Sequence, residues 1–223
     1  MEIIDEAIKR GQTNLSEYES KQLLADYGIP VTREALVGNS ESLMEAIKKI
    51  GFPVVLKGCS PDIAHKTEKG LIHVDIRNED EALAAFKAII AGMNGTENSV
   101  LVQEMIRGKR ELVAGLTRDP QFGPCVMFGL GGIFTEILKD ISFRVAPLGK
   151  DDEQEMMQEI KGHKILGAVR GMEAVDLEML ADILITIGKI GMENEKIGEI
   201  DINPLIISGR KPVAVDALIV LQA

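Results

Sequence analysis

The sequence has little of what would place a protein in a membrane or outside a cell. No apolar run approaches the ~20 residues that a membrane-spanning helix needs. The N-terminal Met1-Glu2-Ile3-Ile4-Asp5-Glu6 lacks the basic and apolar regions of a secretory leader. Only two cysteines occur, Cys59 and Cys125; they share no metal-type spacing and cannot build a disulfide framework. Both read as reduced thiols, and the expected location is the cytoplasm. Basic residues are outnumbered, 25 against 35 acidic ones, for a net charge of −10. That balance argues against nucleic acid as a partner, because phosphate backbones attract basic surfaces. No G-x-x-x-x-G-K-[ST] segment is present, which excludes a P-loop. Gly129-Leu130-Gly131-Gly132 resembles part of a dinucleotide fingerprint, but Phe134 stands where the third glycine should be. Repeats and low-complexity linkers are absent as well.

What is there describes an ordinary globular chain of 223 residues, 45% hydrophobic and 27% charged. Helical and strand-like segments alternate. Ser16 with Glu19 forms a capping box for a helix ending near Gly28, Ser40 caps a second, and Asn78 with Glu81 starts a third. Val31 to Val37, Val54 to Lys57, Leu71 to Ile76 and Ser99 to Gln103 read as strands. After Gln103 the texture changes. Leu112 to Thr117, Cys125 to Phe128, Ile133 to Leu138 and Ile141 to Pro147 suggest an antiparallel sheet. An acidic helix from about Asp151 follows, then an amphipathic one carrying Leu177, Leu180, Leu184 and Ile187 on its apolar face. Ile197 to Ile207 and Val213 to Leu221 read as a closing hairpin. The expected fold class is α+β. A helical lead-in (1–30) precedes two lobes, 31–103 and 104–223, with a ligand site in the cleft between them.

Several residues stand out chemically. His65 lies in Ser60-Pro61-Asp62-Ile63-Ala64-His65-Lys66-Thr67-Glu68-Lys69-Gly70, a polar loop between two apolar runs. An imidazole there can take up and release a phosphoryl group, since its neutral nitrogen is nucleophilic near pH 7. Alone, it reads rather as a solvated loop histidine without a role; the neighbouring motifs decide against that reading. Lys57 ends an apolar strand, where it either snorkels into water or holds a point charge against a phosphate. Gln103-Glu104-Met105-Ile106 follows a strand, as a nucleotide hinge does. Its free backbone groups would read adenine edges and an acid would take ribose hydroxyls. Glu111 alternates with Val113 and is either part of that site or merely solvated.

Period-two alternation puts Glu199, Asp201 and Asn203 on one face of the C-terminal run, and Asp216 interrupts the last apolar strand. If the two strands pair, Asn203 and Asp216 approach each other and offer the oxygen ligands that Mg²⁺ uses. The competing reading is an acidic edge that discourages aggregation. Gly131 and Gly132 let the backbone approach a ligand closely. Glu136 and Arg144 form either a structural ion pair or, through Arg144, a phosphate contact. His73 reads as a strand-surface residue and His163 as a solvated one.

Taken in order, these motifs resemble the ATP-grasp β subunit of the NDP-forming acyl-CoA synthetases, typified by ADP-forming acetyl-CoA synthetase. The residues carrying the resemblance include Gly28-Ile29-Pro30-Val31, Pro53-Val54-Val55-Leu56-Lys57, Ser60 to Thr67 and Gln103-Glu104-Met105. It continues through Arg118-Asp119-Pro120-Gln121-Phe122-Gly123-Pro124, Gly131 to Glu136, Ser142 to Leu148 and Asp201-Ile202-Asn203-Pro204-Leu205. Ile202 to Leu205 also resembles the succinyl-CoA synthetase β subunit. Gly70-Leu71 departs from the pair of glycines that many members carry.

The resemblance implies an ATP-grasp fold and an acid–CoA ligase (ADP-forming) reaction, in which acyl-CoA, ADP and phosphate reversibly give acid, CoA and ATP through phosphohistidine. It implies that His65 is the catalytic relay, Lys57 contacts nucleotide phosphates, and Glu104, Ile106 and Glu111 surround adenosine. Asn203 and Asp216 would bind Mg²⁺ with Asp201 in support, while Lys66, Gly131, Gly132 and Arg144 are further phosphate or loop candidates. ATP or ADP and Mg²⁺ are the implied cofactors. No CoA-binding domain fits in this length, so a separate CoA-binding α subunit is expected, in an α₂β₂ assembly. Two alternatives remain: a stand-alone ATP-grasp carboxylate ligase, which would not need His65, and a non-catalytic nucleotide-sensing subunit.

Overall fold

The computed structural model describes residues 2–60, 70–93, 99–132, 140–149 and 151–222. They divide into two compact units, one of Met1–Leu15, Glu19–Val31 and Arg107–Ala223, the other of Ser16–Tyr18 and Thr32–Ile106. The N-terminal stretch, expected as a helical lead-in, falls within these units. It forms two helices, α1 (Glu2–Lys9) and α2 (Glu17–Asp26). Ile4, Ala7, Leu23 and Leu24 from these helices join the same core as Leu112, Phe128 and Leu184.

The unit built on residues 32–106 contains β1 (Glu34–Val37), α3 (Ser40–Ile50), β2 (Val54–Cys59), β3 (Ile72–Ile76), α4 (Glu79–Gly92) and β4 (Ser99–Glu104). Asn39 rather than Ser40 caps α3. Its side chain accepts from the Ser42 N–H, and Ser42 Oγ accepts from the Asn39 N–H. Asn78 caps α4 by accepting from the Glu81 N–H, as the sequence predicts. The strands form an antiparallel sheet in the order β1-β4-β2-β3, with Leu56 opposite Val102 and Leu36 opposite Leu101. Val54, Leu56, Val100 and Val102 share one core with Leu43 and Ile47 of α3 and Phe86 and Ile89 of α4. Each such large apolar side chain contributes about 1.5–3 kcal/mol on burial. Strand alternation sends Val55, Lys57, Leu101 and Gln103 to the opposite face, where all four are buried.

The other unit continues with β5 (Glu111–Asp119), β6 (Gly123–Leu130), β7 (Ile141–Val145), α5 (Asp152–Glu159), a 3₁₀ turn (His163–Leu166), α6 (Leu177–Glu193), β8 (Ile197–Ser208), β9 (Lys211–Ala214) and β10 (Ala217–Leu221). Its sheet is antiparallel in the order β10-β8-β5-β6-β7, and β9 also pairs with β8. The expected strand Ile133 to Leu138 lies outside the described residues. Leu180, Ile183, Leu184, Ile187 and Ile190 of α6 are buried in the core against this sheet, but Leu177 is 48% exposed. The Arg118–Pro124 motif turns out to be a joint. Arg118 donates to the carbonyls of Gly191, Asn194 and Ile197, tying the end of α6 to the start of β8. Asp119 Oδ1 accepts from the Gln121 and Phe122 N–H groups and closes the β5–β6 turn. Among the described residues, no helix is long and apolar enough to cross a membrane.

Candidate functional site

The C-terminal strands build an acidic patch from simple alternation. Along β8, Ile200 and Ile202 are buried, while Glu199 and Asn203 are exposed and Asp201 is half-buried. The run Val213 to Leu221, expected as one strand, is broken. β9 ends at Ala214 and β10 begins at Ala217, so Asp216 sits in the break rather than inside a strand. The break closes onto β8 through two bonds: the Asn203 N–H donates to the Asp216 carbonyl at 3.2 Å and the Val215 N–H to the Pro204 carbonyl at 3.1 Å. Lys21 of α2, fully buried, donates to the Val215 carbonyl at 3.2 Å and holds the break from the other side. Asn203 and Asp216 are therefore brought together as the sequence reading expected.

Burial, reinforced by the Glu199 and Asp216 carboxylates, pushes Asp201 up to about 6. Carboxylates and a carboxamide are hard oxygen donors, the kind that suits Mg²⁺. Among the described residues, no group of three or more His, Cys, Asp or Glu is arranged to hold a metal ion alone. Asn203 and Asp216 could supply two such donors, and Mg²⁺ is commonly held by one or two protein oxygens together with water and phosphate oxygens.

Lys57 is neither at a strand end nor snorkelling. β2 runs on to Cys59, and Lys57 is 4% exposed with Nζ 2.7 Å from Glu17 Oε1. Glu17 opens α2 and is itself buried. No pattern in the sequence links a first-turn helix glutamate to a strand lysine forty positions on, so Glu17 was missed.

Glu104 ends β4 in a clamp from Arg33. The Arg33 backbone N–H and Nε donate to it at 2.8 and 2.9 Å. The Glu104 and Met105 N–H groups are spent on the carbonyls of Arg33 and Pro53. The expectation of free backbone groups therefore fails at these two positions, because the β1 edge and the β2 entry occupy them. Ile106, two residues further, is half-buried.

Glu111, Gly131 and Gly132 meet in the other unit. The Gly131 N–H donates to the Glu111 carbonyl at 2.8 Å. A methyl group on Gly131 would stand 2.7 Å from the Leu112 carbonyl oxygen, and one on Gly132 (φ +65) 2.7 Å from Glu111 Oε2. In this structure the close approach of β5 favours glycine at both positions.

Arg144 on β7 is committed to α5. Its guanidinium contacts Glu159 at 2.6 Å, Glu155 at 3.2 Å and Asp152 at 3.5 Å. The hydrogen bond from Arg144 holds the Glu159 carboxyl below its ordinary value. This ion cluster is a set of partners that the acidic composition of α5 could have signalled. His65, Lys66 and Glu136 lie outside the described residues. His73 is half-buried on β3, and His163 is exposed, with Nδ1 3.1 Å from the Ile160 carbonyl.

Residues 6–221 match the ATP-grasp domain family, and the chain belongs to it. Within that family it belongs with the β subunits of the ADP-forming acetate–CoA ligases. It is 44% identical to the acetate–CoA ligase (ADP-forming) I subunit beta of Pyrococcus furiosus, over 99% of this chain and 97% of that one. It is 36% identical to acetate–CoA ligase (ADP-forming) I of Archaeoglobus fulgidus, over 99% of this chain but 33% of that longer one. Among solved structures, the dinucleotide-forming acetyl-coenzyme A synthetase 1 of Ca. Korarchaeum cryptofilum with coenzyme A and Ca-AMPCP superposes with a TM-score of 0.95. The identity is 44%, and 99% of each chain is covered. The same protein has been solved with Mg-AMPPCP and a phosphohistidine segment pointing towards the nucleotide binding site.

Proposed function

We propose that this chain is the nucleotide-handling β subunit of an ADP-forming acetyl- or acyl-CoA synthetase. It would move a phosphoryl group between phosphohistidine and ADP while a CoA-binding α subunit, in a cytoplasmic α₂β₂ assembly, handles the acyl group. The observation that carries this reading is the joining of Asn203 to Asp216 beside Asp201, in a chain that aligns over nearly its whole length with such β subunits.

The assignments follow residue by residue. Asn203 and Asp216 hold Mg²⁺, and Asp201 shapes the field around them. When bound, the ion neutralises phosphate charge and orients the nucleotide for in-line transfer. Lys57 meets the phosphates, exchanging or sharing its Glu17 partner. Glu104, Ile106 and Glu111 are assigned to adenosine. His65 receives the phosphoryl group: its P–N bond then breaks as a β-phosphate oxygen of ADP forms the new P–O bond, and the imidazole is released. A histidyl relay avoids direct attack by ADP on an acyl phosphate, and positioning with charge neutralisation accounts for most of the catalysis in such transfers.

Reconstitution with the α subunit tests the reading. ATP should form from acyl-CoA, ADP and phosphate, and His65→Ala should abolish it. A variant that still ligates an acid to an amine through a free acyl phosphate would instead identify a stand-alone ligase.

A further inference from the structure

One flank of α6, beside its buried face, is apolar, while Glu178, Asp182, Lys189 and Glu193 are exposed on its outward side. Its inner face buries Leu180, Ile183, Leu184, Ile187 and Ile190. Leu177, Ala181 and Ile185 recur at the i, i+4, i+8 spacing on another face, with Leu177 48% and Ile185 46% exposed. An exposed apolar strip along a helix flank is a surface that a partner can cover. These three residues line a cavity of 710 Å³ together with Met157 of α5 and Leu166 of the 3₁₀ turn. None of the residues assigned to nucleotide, metal or relay lines it.

The rim carries three carboxylates and one imidazole, that of His163. Glu153, Glu178 and Asp182 stand around the cavity, and among the described residues no Lys or Arg lines it. None of these three carboxylates is in an ion pair among the described residues. The occupant must therefore bring apolar bulk and positive charge together. In the longer Archaeoglobus chain this region is 33% of one polypeptide, so the remainder is tethered there. A separate β chain has to hold its partner by a surface, and such surfaces have an apolar centre inside a polar rim.

We infer that this groove between α5 and α6 docks a segment of the CoA-binding α subunit, one that inserts a large apolar side chain flanked by Lys or Arg. The inference rests on the proposed function, since it needs that subunit. The anchor side chain fills the space over Ala181 between Leu177 and Ile185, and its basic neighbours meet Glu178, Asp182 and Glu153. A few such anchors carry most of the energy of an interface. The rim charges chiefly set the association rate and its dependence on salt.

The test uses the full-length chain and the purified α subunit, with association followed by biolayer interferometry and sedimentation. Ile185→Glu, and separately the double charge reversal Glu178→Lys with Asp182→Lys, should weaken association at least about tenfold. Both should leave the melting temperature and the nucleotide affinity of the isolated chain unchanged. Ala181→Arg, which blocks the groove without touching its carboxylates, should do the same. The association rate of the wild type should fall with salt more steeply than that of the double variant. If the wild type pairs and the variants pair equally well, the docking site is wrong while the proposed function stands. A wild-type chain that pairs with no CoA-binding subunit overturns the functional reading itself. Variants that alter only self-association of the isolated chain overturn the inference in favour of a second copy as occupant.

Discussion

Lys57 Nζ lies 2.7 Å from Glu17 Oε1, with 5% and 1% of the two side chains exposed. A lysine assigned to nucleotide phosphates thus has a buried carboxylate beside it. Removing one partner of such a pair leaves the other charge uncompensated, which costs about 3–5 kcal/mol, whereas replacing both by apolar groups is often neutral. Glu17→Ala should therefore lower stability by about that amount in urea unfolding. The double variant Glu17→Met with Lys57→Met should unfold near the wild-type midpoint, yet its phosphoryl-transfer rate should fall by about 10²-fold or more. Retained activity in a stable double variant would remove Lys57 from the phosphate site.

The acidic patch makes a separate prediction. Asp216→Ala should raise the Mg²⁺ concentration needed for nucleotide binding, and Asp201→Asn, acting through its neighbours, should weaken metal affinity by about 10–100-fold. Calorimetric titration of nucleotide at graded Mg²⁺ measures both. If neither variant changes the Mg²⁺ dependence, the patch is only an acidic edge.

Arg144 should behave as a structural residue. Arg144→Gln is expected to leave nucleotide and phosphate KM values within about twofold, the size of effect of an exposed ion cluster. It should also return Glu159 towards an ordinary carboxylate value, as read by NMR titration. The sign is fixed by the depressed Glu159. Its contribution is present above the unfolded carboxylate range and is lost as pH falls through the folded value. A large rise in phosphate KM would restore Arg144 to the phosphate site.

Leu184 is fully buried on the inner face of α6. Leu184→Ala should cost about 2–5 kcal/mol through lost transfer energy and the cavity left behind. A shift in denaturant midpoint without a change in slope checks this.

Local patterns made much of this legible in the sequence. Alternation in β8 placed Asp201 and Asn203 on one face, and the Asn78 cap and the antiparallel run from β5 to β7 followed from short-range chemistry. The break at Asp216 did not follow, because Val213 to Leu221 is apolar apart from Asp216 itself and the backbone bonds from Val215 and Asn203 decide it. Gly131 and Gly132 suggested a ligand, and the crowding that favours them comes from Leu112 and Glu111, near in space and distant in sequence. The Glu17 partner of Lys57 and the α5 partners of Arg144 are likewise tertiary facts. Charge type alone does not say which carboxylate an arginine or lysine meets.

The central claim is that His65 receives a phosphoryl group. The direct measurement incubates the purified chain, with the α subunit present, with γ-labelled ATP and Mg²⁺, then maps the label by peptide mass spectrometry. The account predicts acid-labile, base-stable label on His65 that chases into ATP on adding ADP and disappears in His65→Ala. No label on His65 under those conditions, with turnover intact, would contradict it.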